Sequence, residues 1–264
     1  RYRDRIVFPI TNTYGKIMYS TNLPSTYMLI WFSVKLPLII IIGIFLIPFT
    51  EKKIFNFDKI KCNNGFANTF PCKEYDLLNW IPLSFFDSES ANDNWGWTDS
   101  KSKREFVLQG LNDGLAFLDI TDPQKVIYLG KLQSATGPSD WRDVKIYDDH
   151  AFIVSEAGGH GMQVFDLNQL RDLNGPNPIT FSETAHYGLF GNSHNIVINE
   201  ETGFAYAVGC DDCSGGLHMI NIQNPSNPTY AGCYSEDGYT HDSQCVIYAV
   251  SYTHLRAHET GRNL

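Results

Sequence analysis

Positive charge is scarce in this chain. Its 264 residues carry 20 Lys and Arg against 29 Asp and Glu, a formal net charge of −9 with His neutral. A nucleic-acid partner needs a basic face to neutralise phosphates, and this balance speaks against one. The local motifs of common catalysis are missing too. There is no G-x-S-x-G elbow, no phosphate-cradling glycine loop and no H-E-x-x-H pair. Gly158-Gly159-His160-Gly161 is glycine-rich, but it joins two strand-like runs and leads to no helix. Any enzyme site would have to be assembled from distant residues. A clean membrane-spanning run is also lacking. Leu36–Phe49, behind Lys35, gives 14 residues where a spanning helix needs about 18–20. It fits the core of a signal peptide. Counted from Met28 the stretch lengthens, and no clean small-x-small cleavage site follows, so an uncleaved signal anchor is the alternative. Residues 1–27 read as leader or upstream sequence, 28–50 as a hydrophobic helix serving as signal or anchor.

What is present is a core and a repeat. Apolar residues make up 43% of the chain and aromatics 14%, ample for a packed interior. One phrase recurs: GLAFLDITDPQKVIYLG at Gly114–Gly130, GMQVFDLNQL at Gly161–Leu170 and GGLHMINIQNPSNPTYAG at Gly215–Gly232. A second alternates with it: WRDVKIYDDHAFIVSEA at Trp141–Ala157, SHNIVINEETGFAYAVG at Ser193–Gly209 and THDSQCVIY at Thr240–Tyr248. Equivalent positions (Asp119, Asp166, Asn221; then Asp143, Asn195, Asp242) lie 47 to 55 residues apart. Each unit reads as four short strands. In the second, these are Asp143–Tyr147, Ala151–Ser155, Met162–Leu167 and a weak outer strand within Phe181–Tyr187, with Asp148-Asp149 as a tight turn. In the first, they are Trp95–Asp99, Glu105–Leu111, Leu115–Thr121 and Val126–Leu132. In the third, they are His194–Asn199, Gly203–Val208, Gly216–Ile222 and Thr229–Tyr234. A fourth unit starts at Thr240. Repeats of this length made only of short strands predict an all-β chain, a partial β-propeller of about three four-stranded blades plus the start of a fourth, over 92–248. Three and a fraction blades do not close a ring, so an open fan with an exposed last edge is expected.

Several segments then resemble those of a known family. NDNWGWTD (Asn92–Asp99), SEAGGHGMQVFDL (Ser155–Leu167), HNIVINEETGFAYAVG (His194–Gly209), GGLHMINIQNP (Gly215–Pro225) and GYTHDSQCVIY (Gly238–Tyr248) resemble the choice-of-anchor B family, extracellular proteins related to LVIVD-repeat propellers. CNNGFANTFPC, Cys62–Cys72, resembles that family's stretch before the propeller, which makes 51–91 a Cys-containing pre-propeller segment. The resemblance implies export to the cell surface or beyond it, and no established activity. VSYTHLRAHET, Val250–Thr260, breaks the repeat and resembles a translated sequencing adapter. Residues 249–264 are therefore expected to be a non-native tail, and His254 and His258 are set aside as ligands.

In a propeller the starts of the inner strands and the loops between second and third strands open on one face. The first set is Arg142-Asp143, His194-Asn195 and His241-Asp242. The loop set is Asn112-Asp113, Glu156 with His160, and Asp211-Asp212. Asp143, His194, Asn195, His241, Asp242, Glu156 and His160 are thus candidates for ligand or metal binding at an axial mouth, oxygen donors suiting Ca²⁺ and added imidazoles Zn²⁺. The alternative for these residues is structural hydrogen bonding within and between repeats. His218 alternates with Leu217 and Met219 and reads as a satisfied, half-buried side chain. Six cysteines (Cys62, Cys72, Cys210, Cys213, Cys233, Cys245) read as disulfide candidates in an exported chain, with zinc or redox chemistry as alternatives for Cys210-x₂-Cys213. The functional expectation is a binding module for an extracellular protein or glycan, with membrane contact only through the N-terminal hydrophobic segment. The alternatives are a metal-dependent, hydrolase-like enzyme at the axis and a structural surface scaffold.

Overall fold

The computed structural model describes residues 54–173 and 178–247, and the backbone of two paired two-residue strands near the N-terminus, β1 (Ile10–Thr11) and β2 (Ile17–Met18). The hydrophobic segment expected at 28–50 and the tail at 249–264 lie outside the described residues. Among the described residues the chain is all-β, with only 3₁₀ turns of three or four residues, and no helix is long and apolar enough to cross a membrane. A pre-segment opens with β3 (Ile54–Asn56), the small hairpin β4 (Phe66–Ala67) and β5 (Phe70–Pro71), and a 3₁₀ turn at Leu83–Phe86. Sheet I follows with β6 (Ala91–Thr98), β7 (Glu105–Leu111), β8 (Gly114–Asp119) and β9 (Lys125–Gln133). Sheet II has β10 (Arg142–Tyr147), β11 (His150–Ser155) and β12 (Met162–Asp166), then β13 (Ile179–Phe181) and β14 (Ala185–Tyr187) follow in sequence. Sheet III has β15 (Asn195–Asn199), β16 (Phe204–Val208), β17 (Leu217–Asn221) and β18 (Thr229–Tyr234). Within each sheet, consecutive strands pair antiparallel, and no sheet closes on itself.

Period-two alternation builds the stack. In sheet II, Ala151 and Ile153 face sheet I, joining a core with Phe106, Leu108, Leu115 and Phe117. Their neighbours Phe152 and Val154 face sheet III, meeting Ile196, Ala205, Ala207 and Ile220. The other face of sheet I (Val107, Ala116, Leu118, Val126) is covered by the pre-segment through Phe57, Trp80 and Phe86. The first strands β6, β10 and β15 lie side by side, β10 between the other two.

The repeated residues have visible structural roles. Asp119, Asp166 and Asn221 end the third strand of each unit, and each accepts a bond at 2.9 Å from the amide two residues on (Thr121, Asn168, Gln223). This is the Asx turn that short carboxylate and amide side chains favour. Gly130 and Gly232 sit at equivalent bulges, opposite Phe117 and Met219, with φ of +143° and +151°. Only glycine is at ease in that region. Asp148 and Asp149 both adopt positive φ, making the two-residue hairpin of β10 and β11.

Two boundaries differ from the sequence reading. The outer strand expected within Phe181–Tyr187 is split. Ile179–Phe181 pairs parallel with β9 of sheet I, and only Ala185–Tyr187 edges sheet II. Phe181 draws β13 across, because its ring packs edge-on against Phe117 and Phe165. Sheet I therefore carries two strands beyond four, since β3 also pairs with β9. The fourth unit's first strand does not form among residues 240–247. That segment is held to sheet III by side-chain and turn bonds instead of a ladder.

Candidate functional site

The predicted axial residues fall into three separate groups. Arg142 is fully buried between sheets I and II. It donates to Leu111 O at 3.0 Å and Ser134 Oγ at 2.8 Å, and its Nη1 lies 2.7 Å from His160 Nε2. His160 Nδ1 is 2.9 Å from Gly161 O. One tautomer satisfies both contacts: Nδ1–H donates to the carbonyl and Nε2 accepts from Arg142. Burial, abetted by the Arg142 charge, pushes His160 down to about 4, and burial lowers Arg142 to about 10. His160 is thus a sealed neutral acceptor with no nitrogen left for a ligand.

The second group lies along the first strands. Asp143 accepts from the amides of Val144 and Ile196, both at 2.8 Å, so its carboxylate ties β10 to β15. Lys145 Nζ bonds Asp143, reaches Asp93 Oδ2 at 3.3 Å and sits 4.6 Å above the Trp95 ring. Burial pushes Asp93 up to about 8 against the pull of Lys145, and the Asp143 charge adds to the rise. Burial works against the Asp143 charge as well, but Lys145 and the bonds from Asp93 and Ile196 hold its pKa below the usual carboxylate range. A lysine ammonium thus takes the place beside Asp143 that a bound cation would need. Asn195 continues the pattern one unit on, donating to His241 O at 2.9 Å. Asp242 accepts from the adjacent Ser243 amide.

The third group does converge at the surface. Glu156 Oε1 accepts from His194 Nδ1 at 2.5 Å, which fixes the ring's orientation. The His194 ring lies 4.2 Å from His241 and 5.9 Å from Trp141, centroid to centroid. Trp141 is 51% exposed and Tyr239 61% exposed. Gly209, with φ +59°, keeps the ground beside them open. A Cβ there would come within 2.8 Å of His194 Cβ and 2.9 Å of Tyr239 Oη. Burial and the neighbouring His194 lower the pKa of His241.

The second-to-third-strand loops hold structural contacts. Asn112 Oδ1 accepts from the Glu89 amide, Asp113 pairs with Lys131 at 2.7 Å, and Asp211 Oδ1 accepts from the Gly191 and Asn192 amides. His218 is buried, its Nε2 2.8 Å from the Tyr187 hydroxyl and its Nδ1 2.8 Å from Asp212. Two disulfides form, Cys62–Cys72 and Cys213–Cys233, while Cys210 and Cys245 are free thiols. Such pairs fit a compartment where disulfides persist.

Sequence reasoning missed Asp93, Lys145, Trp141 and Tyr239. A signal existed for the first two. Asp93 stands before Trp95 as Asp143 stands before Lys145, and Lys145 shares a strand face with Asp143. Nothing in the sequence marks Trp141 and Tyr239 as exposed. Compared with known proteins, the chain matches no family model, no curated protein and no solved structure.

Proposed function

We propose that the three stacked sheets are blades of a β-propeller and that this is an exported or cell-surface protein whose mouth binds a glycan. The side-by-side first strands, with each sheet running outward in chain order, support the propeller reading. The observation that carries the binding reading is the patch in which exposed Trp141 and His241 flank the half-buried His194, with Glu156 orienting His194 and Tyr239 alongside. An exposed indole offers an apolar face to a sugar ring, and imidazole and carboxylate groups beside it meet hydroxyls. The resemblance to the choice-of-anchor B family and the two disulfides support export. A metal-dependent enzyme at the axis has less support, because Asp143 is taken up by Ile196 and Lys145.

Glycan-array binding of the full chain, followed by titration of the best ligand, tests this. Trp141→Ala should weaken binding at least about tenfold, a loss of roughly 1.4 kcal/mol, with unfolding unchanged because the ring is exposed. Glycan binding that survives Trp141→Ala and His194→Ala would sink the assignment of the patch. A chain that binds no glycan while a protein ligand is lost in the same variants would turn the reading to protein recognition.

A further inference from the structure

The loop between β16 and β17, with the strands β17 and β18 beside it, gathers a second set of donors. Asp212, Cys213 and His218 each present one ligand atom, and the three atoms lie within 4.8 Å of one another. Cys213 and His218 are buried, and the Asp212 side chain is 47% exposed. Cys233 is the cross-strand partner of His218 in the β17–β18 ladder, and its sulfur is the one bonded to Cys213. One carboxylate oxygen, one imidazole nitrogen and two sulfurs therefore meet at one corner. The Tyr187 hydroxyl faces His218 Nε2 at 2.8 Å. Without an ion, Nδ1–H donates to the Asp212 carboxylate and Nε2 accepts from the Tyr187 hydroxyl. A cation in the corner would take the place of the Nδ1 proton, with Nε2–H then donating to Tyr187 and the Nδ1 lone pair free to ligate. An outer hydrogen-bond partner of this kind fixes the tautomer of zinc-binding histidines.

We infer that in the thiol form, the form in which the chain is synthesised, this corner binds a zinc-class divalent ion through Asp212, Cys213, Cys233 and His218. Four mixed N, O and S donors suit tetrahedral Zn²⁺. On binding, the Cys213 and Cys233 thiols each release a proton to solvent, and the thiolates become ligands. Oxidation reverses this. A disulfide oxidant accepts two electrons from the thiolate pair and two protons from solvent, leaves as a dithiol, and the Cys213–Cys233 bond forms as the ion departs. Cys210, whose Sγ lies 3.2 Å from Asp212 O, is outside the donor set. None of the four donors belongs to the Trp141–His194–His241 patch.

The test is Co²⁺ titration of the full chain, reduced and held without oxygen, in a Cys62→Ser/Cys72→Ser background that removes the other paired thiols. One Co²⁺ per chain is expected, with a thiolate-to-cobalt charge-transfer band and the intense ligand-field bands of a tetrahedral site, both erased by Zn²⁺. His218→Asn and Cys233→Ser should abolish the bands, Cys210→Ser should keep them, and the oxidised chain should show none. Absent bands in the reduced chain, or bands that persist in His218→Asn, would overturn the site. Loss of the bands in Cys210→Ser would overturn this donor set. Circular dichroism of each reduced variant guards against misfolding. Zinc protection of Cys213 and Cys233 from alkylation, read peptide by peptide in the unsubstituted chain, gives a measurement that needs no variant; alkylation unchanged by zinc would also overturn it.

Discussion

Sheets I and III are built from the same repeated phrases yet are stabilised differently. Sheet I has both faces covered, by sheet II on one side and the pre-segment on the other. Its interface with sheet II is rich in rings. Trp97 stacks on Phe106 at 5.0 Å, and Phe117 meets Phe165 at 4.5 Å. The rim is clamped by charge. Arg104 pairs with Asp119 and caps the carbonyls of Leu170, Arg171 and Leu173, while Arg171 bridges Asp99 and Asp149. Among the described residues, the buried apolar cluster of sheet III lies on its face toward sheet II. On its other face Phe204, Tyr206, Leu217 and Met219 are half-buried, and its outer strand β18 is largely exposed. A disulfide from Cys213 to Cys233 ties that strand to the loop before β17. The difference shows that a repeat specifies strands and turns, whereas its stability depends on which neighbours cover it.

The sharpest way to break this comparison uses equivalent positions. Phe117 and Met219 both stand opposite the bulge glycine and point the same way along the stack. Phe117→Ala should cost about 3–5 kcal/mol by urea unfolding, and Met219→Ala about 1 kcal/mol or less. Equal losses would show that something covers the far face of sheet III. Next in size, Arg142→Ala should cost about 3 kcal/mol, since it strands Leu111 O and the neutral His160 in a buried seam. Arg142→Lys should recover only part, because an ammonium cannot span the three acceptors as a planar fork does. Reduction of Cys213–Cys233, which joins residues 20 apart, should lower stability by about 2–3 kcal/mol in metal-free buffer. That loss should be larger than any from Cys62–Cys72, whose residues are only 10 apart. A pH dependence is also expected. Asp93 is raised from 3.8 to about 8, so between those values the folded chain holds a proton that the unfolded chain has released. Unfolding then releases protons, and this residue's contribution to stability falls as pH rises through the window. Asp93→Asn should flatten that slope in denaturation midpoints compared at about pH 5 and about pH 8. An unchanged slope would place its origin elsewhere.

Much of the fold was legible because the repeat marks its own punctuation. Glu105–Leu111 and Thr229–Tyr234 form strands with the bounds expected from alternation, and most other strands shift by one to four residues at an end. The Asx residues and the bulge glycines recur because each unit needs the same turn and the same bulge. The crossing of Ile179–Phe181 into sheet I was hidden. Three residues carry too little pattern to name a partner, and the choice is made by Phe181 packing on rings from two sheets. The candidate site was legible in part. Glu156, His194 and His241 do meet, whereas Asp143 and His160 turn inward to hold strands and a buried arginine. The same residue types serve ligand binding and strand joining, and only burial and partner geometry separate the two.

The bonds from Asp143 to the Ile196 amide and from Asn195 to the His241 carbonyl share a further property. In each case the earlier unit supplies the side chain and the later unit supplies only main chain, which every sequence has. The joint is therefore one-sided. For these two bonds, a unit duplicated during gene evolution would bring its half of the grip with it, with no matched mutation required in its neighbour, although side-chain pairs such as Asp93–Lys145 and Asp99–Arg171 do need both partners. Main-chain joints of this kind tolerate a change of neighbour, while the surface loops of each copy remain free to diverge.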